Sequence, residues 1–281
     1  MPIYDQGYRR HDARGPLRSL RFWPIAREEL RLVLAKRAFL GLLGLGWLPF
    51  IGFVIFFYAV TRFPEATRVV PVDGSLFARF FVFQFPLALL LTTFGGAGLV
   101  ANDLRTGAIL VYLSRPLTRR DYVIGKLSAL MVLNLSITLA PGLLLYAVGV
   151  ALAPDHLLKW ELAGLAPAIA LYAVAVAAVL SLLALAISAL SRSARVAGLS
   201  FIAILAGLEI VRGILWSFLR SEYLTLLSIE ANLRSLGNAL LGAADSGSGV
   251  HWTWAALVLA GVGLACLAVL RARVRAVEIV T

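Results

Sequence analysis

The sequence has a single cysteine, Cys266, among 281 residues. That excludes an intrachain disulfide and any cysteine-built zinc cluster. Its place inside an apolar run reads as a buried structural thiol. Histidine is nearly as scarce: His11, His156 and His251 stand in three separate polar regions, so no metal site is expected. Charged residues are scarce too, at 15% of the chain, where soluble proteins carry about a quarter. In their place stands apolar sequence. Hydrophobic residues make up 60%, and mean hydropathy is +0.88. Such a chain buries its apolar residues in lipid, where only helices or closed barrels satisfy the backbone. The long uncharged runs select helices, so the expected fold is an all-α polytopic membrane protein.

Six runs are long enough to cross a bilayer core, which takes about 20 residues. They cover about 38–61, 80–101, 127–153, 162–191, 196–219 and 250–270. Before them, 1–23 is a basic segment with no apolar core of signal-peptide kind after it, so no cleaved leader is read. From Pro24 to Arg37, Ala26, Leu30, Val33 and Leu34 share one side of a helix and Arg27, Glu28 and Arg31 fall elsewhere. This predicts an amphipathic interfacial helix. Between spans five and six, Leu224, Leu227, Ala231 and Leu236 recur at roughly helical spacing, and Glu230 pairs with Arg234 at i,i+4. One or two short helices over the outer face are expected there. The domain reading is a single membrane domain over 24–275 with a short tail, 276–281.

Net charge is +11, which taken alone would suggest nucleic acid. The distribution argues against that partner. Of the 26 Lys and Arg, 19 lie in the amino end, the 102–126 loop, the 192–195 turn and the carboxyl tail. The opposite loops hold six. Alternation of this kind is the positive-inside pattern and predicts both ends in the cytoplasm.

The 102–126 loop is the most informative stretch. Arg105 to Ser114 is long enough for about three helical turns, and Pro116 disfavours helix at Arg115. Ile109, Leu110, Tyr112 and Leu113 are apolar groups in a polar loop and need a surface to pack on. Asp103-Leu104-Arg105-Thr106-Gly107, then Tyr112-Leu113-Ser114-Arg115-Pro116 and Arg119 to Lys126, resembles the first cytoplasmic loop of type-2 ABC exporter permeases. The end of span four, Ala-Ile-Ser-Ala-Leu-Ser-Arg-Ser-Ala-Arg195, is similar to that family's second cytoplasmic turn. The resemblance implies six spans, an elbow helix at 24–37 and a coupling helix in the 102–126 loop. It further implies docking of two copies of a separate ABC ATPase subunit, mainly on Leu104 to Leu117, and pairing with a second permease subunit, identical or sister. Export through a bacterial inner membrane would follow.

No chemistry is expected of the chain itself. Gly125-Lys126-Leu127-Ser128 fails the phosphate-loop pattern, which needs Gly where Arg120 stands and Ser or Thr where Leu127 stands. ATP and Mg are expected instead in the partner ATPase that the resemblance implies. Ser200, in Gly198-Leu199-Ser200-Phe201, lacks both the second glycine and the histidine base of an intramembrane protease. Within the spans only Glu209 and Arg212 are well-embedded charges. At i,i+3 they share a face and lower each other's cost in lipid. They line a path or gate, or they form a structural pair. The uncharged run from Val196 to Glu209 is too short to cross alone, so either span five is short or a re-entrant turn completes it. Two other functions stay open, a secondary transporter driven by an ion gradient and a membrane scaffold without transport. The first would usually show repeats and more intramembrane charge.

Overall fold

The computed structural model describes residues 21–62, 73–108, 117–152, 164–191, 193–243 and 250–274. In chain order the helices are α1 (Trp23–Leu34), α2 (Arg37–Leu45), α3 (Leu48–Arg62), α4 (Gly74–Gly96), α5 (Ala101–Thr106), α6 (Arg119–Leu152), α7 (Leu165–Leu190) and α8 (Ala194–Leu219). A 3-10 helix (Glu222–Leu227), α9 (Ile229–Leu241) and α10 (Trp252–Arg273) follow. Among the described residues there is no strand. Six helical stretches are long and apolar enough to cross a membrane: Arg37–Val60, Gly74–Thr106, Arg119–Leu152, Leu165–Leu190, Ala194–Leu219 and Trp252–Arg273. The protein is a multi-pass membrane protein.

Span four, α7, is the axis of the bundle. Its most apolar stretch is 61% buried within the protein, against 17% for α8 and 11% for span one. The reason lies in its side chains. Ala173, Ala177, Ala184, Ala186 and Ala189 are all buried on it, and small residues let neighbouring backbones approach closely in lipid. Helices α4, α6 and α10 pack around it. Polar side chains cross-link this centre. Thr92 on α4 stands 2.9 Å from Asn134 Oδ1 on α6. Asn134 Nδ2 in turn lies 3.4 Å from Ser181 Oγ on α7.

Several boundaries differ from the sequence reading, each for a local reason. Span two starts at Gly74, not near residue 80, because Asp73 caps the helix by accepting from Ser75 N at 2.9 Å. Span three starts at Arg119, not at 127. Here Thr118 and Asp121 cap the helix reciprocally: Thr118 N donates to Asp121 Oδ2 at 2.9 Å, and Asp121 N donates to Thr118 Oγ1 at 3.2 Å. That is the capping-box arrangement, with Asp121 in place of the usual Glu. Span one is split between α2 and α3. Span two is interrupted between α4 and α5, where the Ser188 hydroxyl accepts from Val100 N and Ala101 N at 3.1 and 3.0 Å. The same hydroxyl donates to Ala97 O at 2.8 Å. A neighbouring helix thus satisfies the backbone groups the interruption frees.

Span five is neither short nor re-entrant. It is one continuous helix of 26 residues, about 39 Å at 1.5 Å per residue, with Glu209 and Arg212 inside it. Between spans five and six the expected helices are present. Helix α9 lies against α7 and α10, with Ile229, Leu233 and Leu241 buried. Arg234 and Glu230 meet at 2.8 Å. Its seat depends on two glycines. A Cβ at Gly237 would come within 2.5 Å of the Tyr172 ring, and one at Gly74 within 1.6 Å of Leu241 O. Cys266 is buried, as expected.

Candidate functional site at the basic end of the bundle

Among the described residues Lys126 is the most deeply buried cation, 1% exposed. It sits two turns into α6. Its ammonium pairs with Asp103 Oδ2 on α5 at 2.7 Å and with Glu29 Oε1 on α1. Tyr122, one turn earlier and also buried, donates its hydroxyl to the same Asp103 oxygen at 2.9 Å. The ammonium lies 5.5 Å from the Tyr122 ring centroid, within cation–π range. Two carboxylates thus face one ammonium, and three elements are tied at one point: the helix before span one, the end of span two and the start of span three. Gly125 makes the approach of α1 feasible, since a Cβ there would stand 2.8 Å from Ile25 Cβ and 2.9 Å from Phe22 O.

This cluster forms one wall of a cavity of about 730 Å³. Lys36 and Arg195 stand on its rim, and Thr93, Gly98, Leu199 and Ile202 make the apolar side. Phe94 at its edge is 69% exposed and Leu199 71% exposed.

The sequence-chosen loop residues divide in two. Asp103, Leu104, Arg105, Thr106 and Gly107 are described. Ile109, Leu110, Tyr112, Leu113, Ser114, Arg115 and Pro116 lie outside the described residues. Asp103 turns inward to the cluster, whereas Leu104, Arg105 and Thr106 face outward, exposed. The helix expected from Arg105 onward does not run through Gly107. Arg105 and Thr106 end α5, and Gly107 at φ +70° stops it in the left-handed conformation that glycine adopts without steric cost.

Sequence reading gives Glu29 and Tyr122 no site role, and it weighs Lys126 only against the phosphate-loop pattern and within the loop resemblance. Glu29 did carry a signal. It lies at i+3 from Ala26 and i−4 from Val33, on the stripe that Ile25, Ala26 and Val33 bury. A carboxylate on a buried stripe requires a cation. The buried stripe differs in part from the expected one: Leu34 is exposed, and Ile25, which the expected stripe does not include, is buried.

Glu209 and Arg212 are brought together on α8. Arg212 Nε donates to both Glu209 oxygens at 3.1 Å, and its Nη2 also pairs with Oε1. The side chains remain partly open, at 27% for Arg212 and 36% for Glu209. Ile210, Val211 and Ile214 beside them are exposed.

A family model described as ABC-2 family transporter protein matches residues 23–240. The chain belongs to the ABC-2 transporter family. The match opens on the first residue of α1 and closes within α9, so the helix that supplies Glu29 falls inside it, as does α9 but for its last residue. No curated protein matches the chain. Membership makes it an ABC transporter permease, a membrane subunit whose kind associates with an ABC ATPase. In this ABC-2 permease the Lys126 cluster stands at the base of the 102–126 loop.

Proposed function

We propose that this permease encloses a translocation path with a second permease copy or sister subunit and takes its drive from two ATPase subunits docked on the 104–117 segment. ATP and Mg act in those partners, and this chain performs no hydrolysis. The basic end, with both termini, faces the cytoplasm of a bacterial inner membrane, and transport runs outward.

One observation supports this reading most. Leu104, Arg105 and Thr106 face outward at the tip of span two while Asp103, on the same short helix, is locked to Lys126, which Glu29 holds from α1. A push on the outward residues would be passed through buried ion pairs to α6 and α1 together, because packed elements respond as units. The seven residues from Ile109 to Pro116 named above would complete the docking surface. Glu209 and Arg212 would line the path or gate where α8 meets the second subunit. The large exposed apolar face of α8 is consistent with a partner there.

The test is co-purification. The tagged chain, taken in mild detergent from its host, should carry a stoichiometric ATPase. Replacing Arg105, Tyr112 and Arg115 together with alanine should release it while insertion and thermal unfolding stay unchanged. ATPase retained at wild-type level in that triple variant would overturn the docking claim.

A further inference from the structure

Three neighbouring spans each carry a proline, and one buried side chain stands among them. Span one breaks at Gly46 and Trp47, just before Pro49. Span two carries Pro86 inside α4. Span three carries Pro141 inside α6. Gln84, on α4 and 0% exposed, donates its Nε2 to Gly46 O at 2.7 Å and to Ile137 O at 2.6 Å.

Both acceptors are carbonyls at interruptions. Pro141 has no N–H, so the helical partner of the Ile137 carbonyl four residues back is missing. Gly46 caps α2, where the helical ladder of span one ends. Gly46 also lets the two spans meet, since a Cβ there would stand 2.8 Å from Ile137 Cγ2. One amide nitrogen therefore supplies two adjacent helices with the donor that each break requires. The other half of the amide has no such role. Gln84 Oε1 is the one buried side-chain polar atom without a hydrogen-bond partner among the described residues. Leaving such a group unpaired is costly, and a native fold retains it where it serves a purpose.

The surroundings leave room for movement on one side. A groove of about 430 Å³ runs along the start of α3, lined by Pro49, Gly52, Phe53, Phe56, Leu76 and Phe83. A Cβ at Gly52 would meet nothing within 4 Å. The outer half of span one thus has an open flank next to its break.

We propose that Gln84 is a positioning residue for transport, the pin that fixes where spans one and three bend. The inner pieces, α2 and residues 119–137 of α6, are joined through α1 to the Lys126 cluster. The outer pieces, α3 and residues 141–152, bend against them at the two carbonyls held by Gln84. The free Oε1 gives the amide an alternative bonding state when the spans bend. The role in transport rests on the permease reading above; the bend itself does not.

The test is a distance measurement in lipid nanodiscs on the full chain with Cys266→Ala. Spin labels at Leu40 and Ile55, both exposed, bracket the span-one break. Labels at Leu171 and Leu190, also exposed, bracket unbroken α7 as a control. The expected result is one narrow distance peak across the break in the parent. Gln84→Met, similar in shape but lacking the amide, should lose that peak to a broad distribution, with the α7 pair and the unfolding temperature little changed. Pro141→Ala in the Gln84→Met background returns an N–H to Ile137. It should narrow a matching pair across span three and leave span one broad. With ATPase bound, added nucleotide should shift the span-one peak in the parent and not in Gln84→Met. A narrow span-one peak retained in Gln84→Met overturns the pin. Failure of the nucleotide shift alone, with the pin intact, would instead remove its role in transport.

Discussion

At the scale of single residues, the contrast between two ion pairs is instructive. Arg234 and Glu230 meet on an exposed helix surface, where such i,i+4 pairs contribute about 0.3–0.5 kcal/mol. Lys126 is held out of water between Glu29 and Asp103. Removing one partner from a buried pair costs about 3–5 kcal/mol, because the remaining charge stays buried and unpaired. Lys126→Met should therefore lower the unfolding temperature sharply and raise proteolytic cleavage near α1. Arg234→Gln should do neither. Equal effects of the two substitutions would mean that the cluster is hydrated and structurally minor. Tyr122→Phe should fall between them, since it removes one donor from Asp103 and leaves the ammonium in place.

At the scale of elements, the outer helix shows how much depends on one missing methyl group. Helix α9 is amphipathic and short, and isolated helices of its length are marginal in water. It persists because its apolar face is set against α7 and α10, with Gly74 and Gly237 at the points of closest approach. Gly74→Ala would drive a Cβ into the Leu241 carbonyl, a backbone atom that cannot rotate away. Overpacking of this kind costs about 1–3 kcal/mol, occasionally more. The expected outcome is a displaced α9, seen as faster hydrogen exchange over 229–241. Gly44→Ala is the control. Nothing lies within 4 Å of a Cβ there, and alanine is the better helix former, so its unfolding temperature should hold or rise.

At the scale of the whole molecule, charge and hydropathy lead to one topology. The excess of Lys and Arg at the amino end, the 102–126 loop, the 192–195 turn and the tail predicts that these face the cytoplasm. In a Cys266→Ala background, a cysteine at Ser246 should react with a membrane-impermeant maleimide in intact cells. One at Arg14 should react only after lysis. The reverse pattern would invert the orientation and remove the ATPase from the 104–117 segment.

The sequence by itself determined the class, the number of spans and the side on which charge collects. These follow from summed transfer energies that need no knowledge of neighbours. It also marked the Asp103 to Pro116 loop and the Glu209–Arg212 pair, since local spacing puts those residues on one stretch or one face. Only the tertiary structure decided which charges turn inward. Asp103 was legible as part of the loop but not as a partner of Lys126, because the two stand on different helices. Glu29 was not legible as a partner either, because it is 97 positions from Lys126 and helical periodicity carries no information over such a separation. The same holds for Gln84. A lone glutamine in an apolar run looks like a defect until the Gly46 and Ile137 carbonyls arrive from other spans. Interruptions in a helix are written locally, in proline and glycine. What satisfies them is a side chain from elsewhere in the fold, and in lipid no water is present to take its place.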